Sequence, residues 1–430
     1  MVNWNKLNGL GSNKLTNRSK IFSVLCVAFF VSIANADERS LEDVLEDKAV
    51  QKGLADISAM RGEAASMLVK IGGIISPSGQ EHERAEAVAE EMRKIGLKDV
   101  RVNDAPNAIG VIKGRSGKAL IFVSTLDDLT TVAKNQRAAG VPPHIDGDLV
   151  VGPGTNTSLT SVSLIVAAKA LIDNGFVPEH DIVFAGVAEE ETGLRGMKHL
   201  YAEYKDRAVA FVDVLGEGNS ISYGALGIHW WKIHAYGPAG HTLRGGLPNI
   251  NQAIGRAVDR ILQIPEPQIY EDRRTRLNVA VLSSGSVFNH KPETGWFSLD
   301  VRSLDQVHID TMENKVRNIL GEVINELGLK FEMEVVSNTP PGQIEGALES
   351  SLVQTSKAIS NYLGGEPRLS NAGSANLNVS IAGGTLSIGI ASERGGRRGF
   401  PDEWANIPTM MRTAKNVFLT AITIGNMEVN

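Results

Sequence analysis

Cysteine is almost missing from this chain: of 430 residues only Cys26 is one. It sits in an apolar stretch near the N-terminus, so the rest of the protein has no disulfide framework and no thiol chemistry. Aromatic residues are sparse, at 5%. No histidine follows His308, and no carboxylate occurs from Leu149 to Leu171. No G-x-S-x-G elbow is present, so Ser158 or Thr157 has no setting as a nucleophile. Basic residues are fewer than acidic ones, 43 against 49. That balance argues against nucleic acid and anionic membrane surfaces as partners.

What is there begins with an apolar run. Arg18 and Lys20 precede Ile21–Ala34, which ends in Ala34-Asn35-Ala36. A basic flank, a short apolar core and an A-x-A site are the parts of a secretory signal peptide. The run is short for a membrane span. We therefore expect residues 1–36 to be a signal peptide and the protein to be periplasmic or secreted, with no membrane span left. Cleavage removes four basic residues and no acidic ones, leaving 39 against 49 and a net charge of −10.

The segment Val183–Leu200 carries the clearest chemistry. An apolar run, Ile182–Val187, ends in Glu189, Glu190 and Glu191, followed by Thr192-Gly193. It reads as a buried strand turning into a helix. Acidic groups at the carboxyl end of such a strand sit where open α/β sheets place their sites. One carboxylate there can bind a metal while its neighbour acts as a base on water. The plain alternative is a solvated helix start.

Residues 37–60 read as a charged helical arm, loosely held. Helical spacing marks Glu81–Gly96 and Ser158–Asn174. Strands are expected at 108–113, 119–124, 181–187 and 208–214. The alternation predicts an α/β fold, a mostly parallel sheet with helices on both faces. Past Gly227 the character changes. Strands at 229–236, 279–284, 294–301 and 330–336 and helices at 249–264 and 310–327 form an inserted α+β unit. The expected division is 37–227 plus 340–430 for the larger domain and 228–339 for the insertion.

Four segments in this order resemble the M20 metallopeptidases, which include aminoacylases, glutamate carboxypeptidases and succinyl-diaminopimelate desuccinylases. They are AEEETGLRGM, Ala188–Met197; GPAGHT, Gly237–Thr242; WFSLDVRS, Trp296–Ser303; and PDEW, Pro401–Trp404. The resemblance implies a three-layer peptidase-like domain with an inserted lid that dimerises. It implies two zinc ions and a separate Glu that deprotonates water, which attacks an amide carbonyl.

Position by position, the resemblance makes Glu190 the catalytic base and leaves Asp127, Glu191 and Asp213 as a remnant metal set. His241, Asn289 and Arg302 match lid residues that hold the substrate and its carboxylate, His241 reaching toward the partner subunit's site. The zinc ligands are replaced. Thr125 stands where the first His belongs, Thr157 where the bridging Asp belongs, and Gly399 where the last His belongs. Oxygen donors alone suit zinc poorly. Arg394, Arg397 and Arg398 lie in the loop of the lost histidine. An exposed basic loop is their ordinary reading, and a cation in place of the metal the alternative. The cofactor is therefore unknown. The expected function is hydrolysis of an amide bond in an N-acyl amino acid or short peptide, without the standard dinuclear zinc site. The alternatives are an inactive relative that binds such ligands, or an accessory dimer acting through protein contacts.

Overall fold

The computed structural model describes residues 40–216, 218–265, 275–390 and 392–427. The expected signal peptide, 1–36, lies outside the described residues. An eight-stranded sheet forms the larger layer system. Its order is Lys98–Val102, Ala108–Ile112, Asp181–Val187, Ala119–Thr125, Ala208–Asp213, Ser387–Ile390, Ser220–Ser222 and Arg368–Ser370.

Four adjacent strands, from Asp181–Val187 across to Ser387–Ile390, run parallel. Register pairs Thr125 with Val187, Val123 with Asp213, and Asp213 with Gly389. The carboxyl ends of all four therefore open onto one edge, where an α/β sheet gathers its chemistry.

Period-two alternation splits the strand side chains between two cores. Leu120, Phe122, Ile182, Phe184 and Val212 face one core. Ile121, Val123, Val183, Ala185 and Phe211 face the other. Phe122 and Phe184 stack with ring centroids 5.7 Å apart. On the first face, helix Thr155–Asp173 packs against Arg61–Gly72 and Ile407–Ile424. It is long and apolar enough to cross a membrane, but 89% of its apolar window is buried in the protein. Helix Arg195–Tyr204 supplies Met197, Leu200 and Tyr204 to the second face.

The N-terminal arm differs from expectation. Leu41–Glu46 and Lys48–Ala59 are helices, and Val44, Val50, Leu54 and Ile57 are buried in the main core. Their spacing gives one apolar stripe, so the segment is docked rather than loosely held.

Residues 227–339 build a second, antiparallel sheet in the order Arg276–Asn278, Thr294–Ser303, Gly227–Tyr236, Lys330–Thr339. Leu282–Ser284 also pairs with Thr294–Ser303. Trp231, Ile233, Ala235, Phe297, Leu299 and Val301 alternate inward. Helices Ile250–Leu262 and Gln306–Leu327 cover that face with Ile250, Ile254, Ile261, Met312 and Val316, giving this sheet its own core. The opposite face presents Ile228, Trp230 and Arg302 toward the edge of the first sheet.

Candidate active-site cleft

Asp127 lies just past strand Ala119–Thr125 and is fully buried. Its two oxygens accept from the Glu190 amide at 2.9 Å, the Glu191 amide at 3.0 Å, and the Ser78 hydroxyl. Glu81, also buried, accepts from the Glu189 amide at 3.1 Å. Three successive amides are thus held by two carboxylates. This clamp holds the turn in which Glu189 and Leu194 adopt left-handed φ values of 55° and 58°. Glu190 and Glu191 are thereby aimed into a cleft of about 460 Å³.

Glu190 and Glu191 share that cleft with Asp213 at the end of strand Ala208–Asp213. Four arginines also line it: Arg302, Arg368, Arg394 and Arg398. Burial first, then the charges of Glu191, Asp127 and Asp213, push the Glu190 carboxyl well above the usual carboxylate range. Burial also raises Asp213, to about 6, against hydrogen bonds from the Leu215 amide at 3.0 Å and the Leu377 amide at 3.3 Å. Burial raises Glu191, and Arg398 opposes it.

The arginine loop is not an exposed basic loop, contrary to the ordinary reading of its sequence. Arg394 is 3% exposed. Arg398 forms an ion pair with Glu191. Only Arg397 points away: it pairs with Asp402 at 3.1 Å and covers the Phe400 ring at 4.2 Å. The reason lies in Glu403, which is buried and ties the loop down. It accepts from the amides of Gly154 at 3.0 Å, Asn156 at 3.1 Å and Gly399 at 3.1 Å.

The three replaced positions are also accounted for. Thr125 is buried and its hydroxyl accepts from Asn376 Nδ2 at 2.9 Å. Asn376 also bonds Asp213. Thr157 is buried at the head of helix Thr155–Asp173, and its hydroxyl has no partner among the described residues. Gly399 has φ +84°, and a Cβ there would lie 3.2 Å from Thr131 Oγ1. A side chain at that position is unfavourable on both counts.

Of the expected substrate residues, Arg302 lines the cleft, its guanidinium bonded to Asp300 at 3.0–3.1 Å. His241 and Asn289 do not line it. They sit together on the short pairing of Gly240–His241 with His290–Lys291, both exposed, 3.2 Å apart at Nε2 and Nδ2. Sequence reasoning missed Glu81, Asn376, Arg368 and Trp230. Trp230 had a signal in the alternation of its strand; the others had none.

A sequence profile described as peptidase family M20/M25/M40 matches residues 131–422. The chain belongs to this family. Among individual relatives, carboxypeptidase G2 from a Pseudomonas strain is 26% identical over 299 residues, 66% of this chain and 68% of that one. A Staphylococcus aureus tripeptidase structure matches with a TM-score of 0.72 at 18% identity, over 85% of this chain and 98% of its own. A Bacillus subtilis structure described as a dinuclear metal binding peptidase of the M20 family matches with a TM-score of 0.63 at 13% identity, over 85% of this chain and 99% of its own. The fold is thus the M20 peptidase fold.

The side chains that line the cleft include neither histidine nor cysteine. Among the described residues no three His, Cys, Asp or Glu side chains are arranged to hold a metal ion. The oxygens of Asp127 are taken by amides and a hydroxyl, those of Asp213 by amides and Asn376, and Glu191 by a guanidinium. Zinc prefers imidazole and thiolate nitrogen and sulfur alongside carboxylate, and neither is offered.

Proposed function

We propose that the protein is an exported hydrolase of the M20 family that cleaves an amide bond in an N-acyl amino acid or short peptide without the standard dinuclear zinc site. The observation that carries this reading is Glu190 on the cleft wall beside Glu191 and Asp213, its carboxyl pushed well above the usual carboxylate range by burial and by those neighbouring charges. A raised pKa strengthens a carboxylate as a proton acceptor. In this scheme Glu190 takes a proton from water as the water oxygen attacks the amide carbonyl. It returns that proton to the departing amine. Arg302 pairs with the substrate carboxylate through its planar fork. The unit 228–339 serves as the lid. His241 and Asn289, away from this cleft, fit a role in the cleft of a second copy, which makes the working form a homodimer.

The test is a panel of N-acyl amino acids and short peptides assayed with the parent and Glu190→Gln. Turnover in the parent that is lost in the variant, with binding kept, supports the hydrolase. One observation favours the second reading, an inactive relative that binds the same ligands: the ion pair of Glu191 with Arg398 closes off one acidic group. Binding without turnover in the parent would select it. Export is tested by the intact mass of protein from the cell envelope: a start near Asp37 supports it, and a retained Met1 contradicts it.

A further inference from the structure

We propose that Arg394 and Arg398 are the resident cations of this cleft, balancing Asp213 and Glu191 and presenting their guanidinium groups to an oxygen of the ligand, the part that metal ions play in a dinuclear relative. Three independent features support the assignment. The first is position. Both arginines line the same cleft as Glu190, Glu191 and Asp213. Arg398 contacts Glu191 directly, and Arg394 lies close enough to Asp213 to act on it electrostatically.

The second feature is the way the loop is held. Gly395–Gly396 pairs as a strand with Trp404–Asn406. The Asn406 amide donates to the Arg394 carbonyl at 2.8 Å. A Cβ on Gly395 would lie 2.0 Å from the Trp404 carbonyl oxygen, so that strand approach requires glycine. Glu403 secures the Gly399 amide. A guanidinium on such a support is fixed in place rather than swinging in solvent.

The third feature is the complementary loss of ligands. Thr125, Thr157 and Gly399 bring no imidazole and no bridging carboxylate, and Asn376 ties Thr125 to Asp213. Buried carboxylates without a counter-charge are strongly unfavourable, so removal of a metal calls for another cation. Arg suits the place. It stays charged and is weakly hydrated, and its several N–H donors let it bond a carboxylate and still face a carbonyl or carboxylate oxygen.

The ligand part of this proposal rests on the hydrolase reading; the charge-balance part does not. The probe is manganese(II) chloride, a cation suited to carboxylate oxygens, titrated by calorimetry into the dialysed mature protein and into Arg398→Gln and Arg398→Lys. The expected result is no stoichiometric manganese in the parent or in Arg398→Lys, and manganese affinity at least tenfold higher in Arg398→Gln. Manganese should also raise the melting temperature of Arg398→Gln alone. Equal manganese affinity in the parent and Arg398→Gln overturns the proposal. If Arg398→Gln does not fold without metal, refolding in manganese should restore a cooperative transition, and failure to do so also overturns it. A panel showing no turnover counts against the hydrolase reading alone, since the manganese titration does not depend on activity.

Discussion

Arg398 and Glu191, on loops 207 residues apart in sequence, meet as an ion pair at the wall of the cleft. The pair joins the carboxyl end of strand Asp181–Val187 to the C-terminal loop.

If the protein is a hydrolase, Glu190→Gln keeps the shape of the side chain and removes the proton acceptor. General-base catalysis contributes roughly 10²–10⁴-fold. kcat should fall by that order with ligand affinity little changed, as measured by steady-state kinetics and calorimetry. Unchanged kcat would remove Glu190 from the reaction.

Asp213 makes stability depend on pH in a defined direction. Its carboxyl titrates near 6 in the folded protein, above the ordinary 3.8 of an unfolded chain. The folded state therefore holds the proton more tightly. The stabilisation is complete below about pH 4 and is lost as pH rises through 6. Asp213→Asn does not ionise, so its stability relative to the parent should rise between pH 4 and 8, by on the order of 3 kcal/mol. Urea denaturation of both proteins across that range measures it. A difference that stays constant with pH would mean Asp213 ionises in the cleft as freely as in water.

Arg302→Ala removes a charge-assisted contact from the cleft. Affinity for a carboxylate-bearing ligand should fall by about 1.5–3 kcal/mol. Calorimetry with an N-acetyl amino acid on both proteins checks this, and equal affinities would take Arg302 out of the site.

Arg84 and Asp128 form a fully buried pair at 2.7 Å directly beneath the site. Arg84→Met leaves Asp128 without its counter-charge and should cost about 3–5 kcal/mol of stability. Thermal and chemical denaturation would show it. A loss below 1 kcal/mol would mean that Asp128 is carried by other groups.

Gly399→Ala places a Cβ at φ +84°. The left-handed conformation costs roughly 1–2 kcal/mol for an alanine. A corresponding drop in the denaturation midpoint is expected, and none would show that the loop rearranges freely.

The fold was largely legible because its signals are local. The apolar run Ile182–Val187 and the alternation of Gly227–Tyr236 each mark a strand by period alone. Boundaries moved where capping decided them: helix Gln306–Leu327 starts four residues before the expected Asp310, because the Asp305 side chain caps the Val307 amide. The acidic half of the site was legible for the same reason, since Glu190 and Glu191 end a strand. The cationic half was not. Whether Arg394 and Arg398 turn inward depends on Glu403 reaching back to Gly154 and Asn156, a contact between distant parts of the chain that no local pattern announces.

That separation has a consequence for synthesis. Glu191 emerges 207 residues before Arg398. At 5–20 residues per second the interval is about 10–40 s. Until the last segment arrives, the half-made cleft holds its acidic groups without the two guanidiniums that balance them. A chain cut short before residue 394 lacks both guanidiniums and also the buried helix Ile407–Ile424, so the charge-balanced cleft belongs to the finished polypeptide alone.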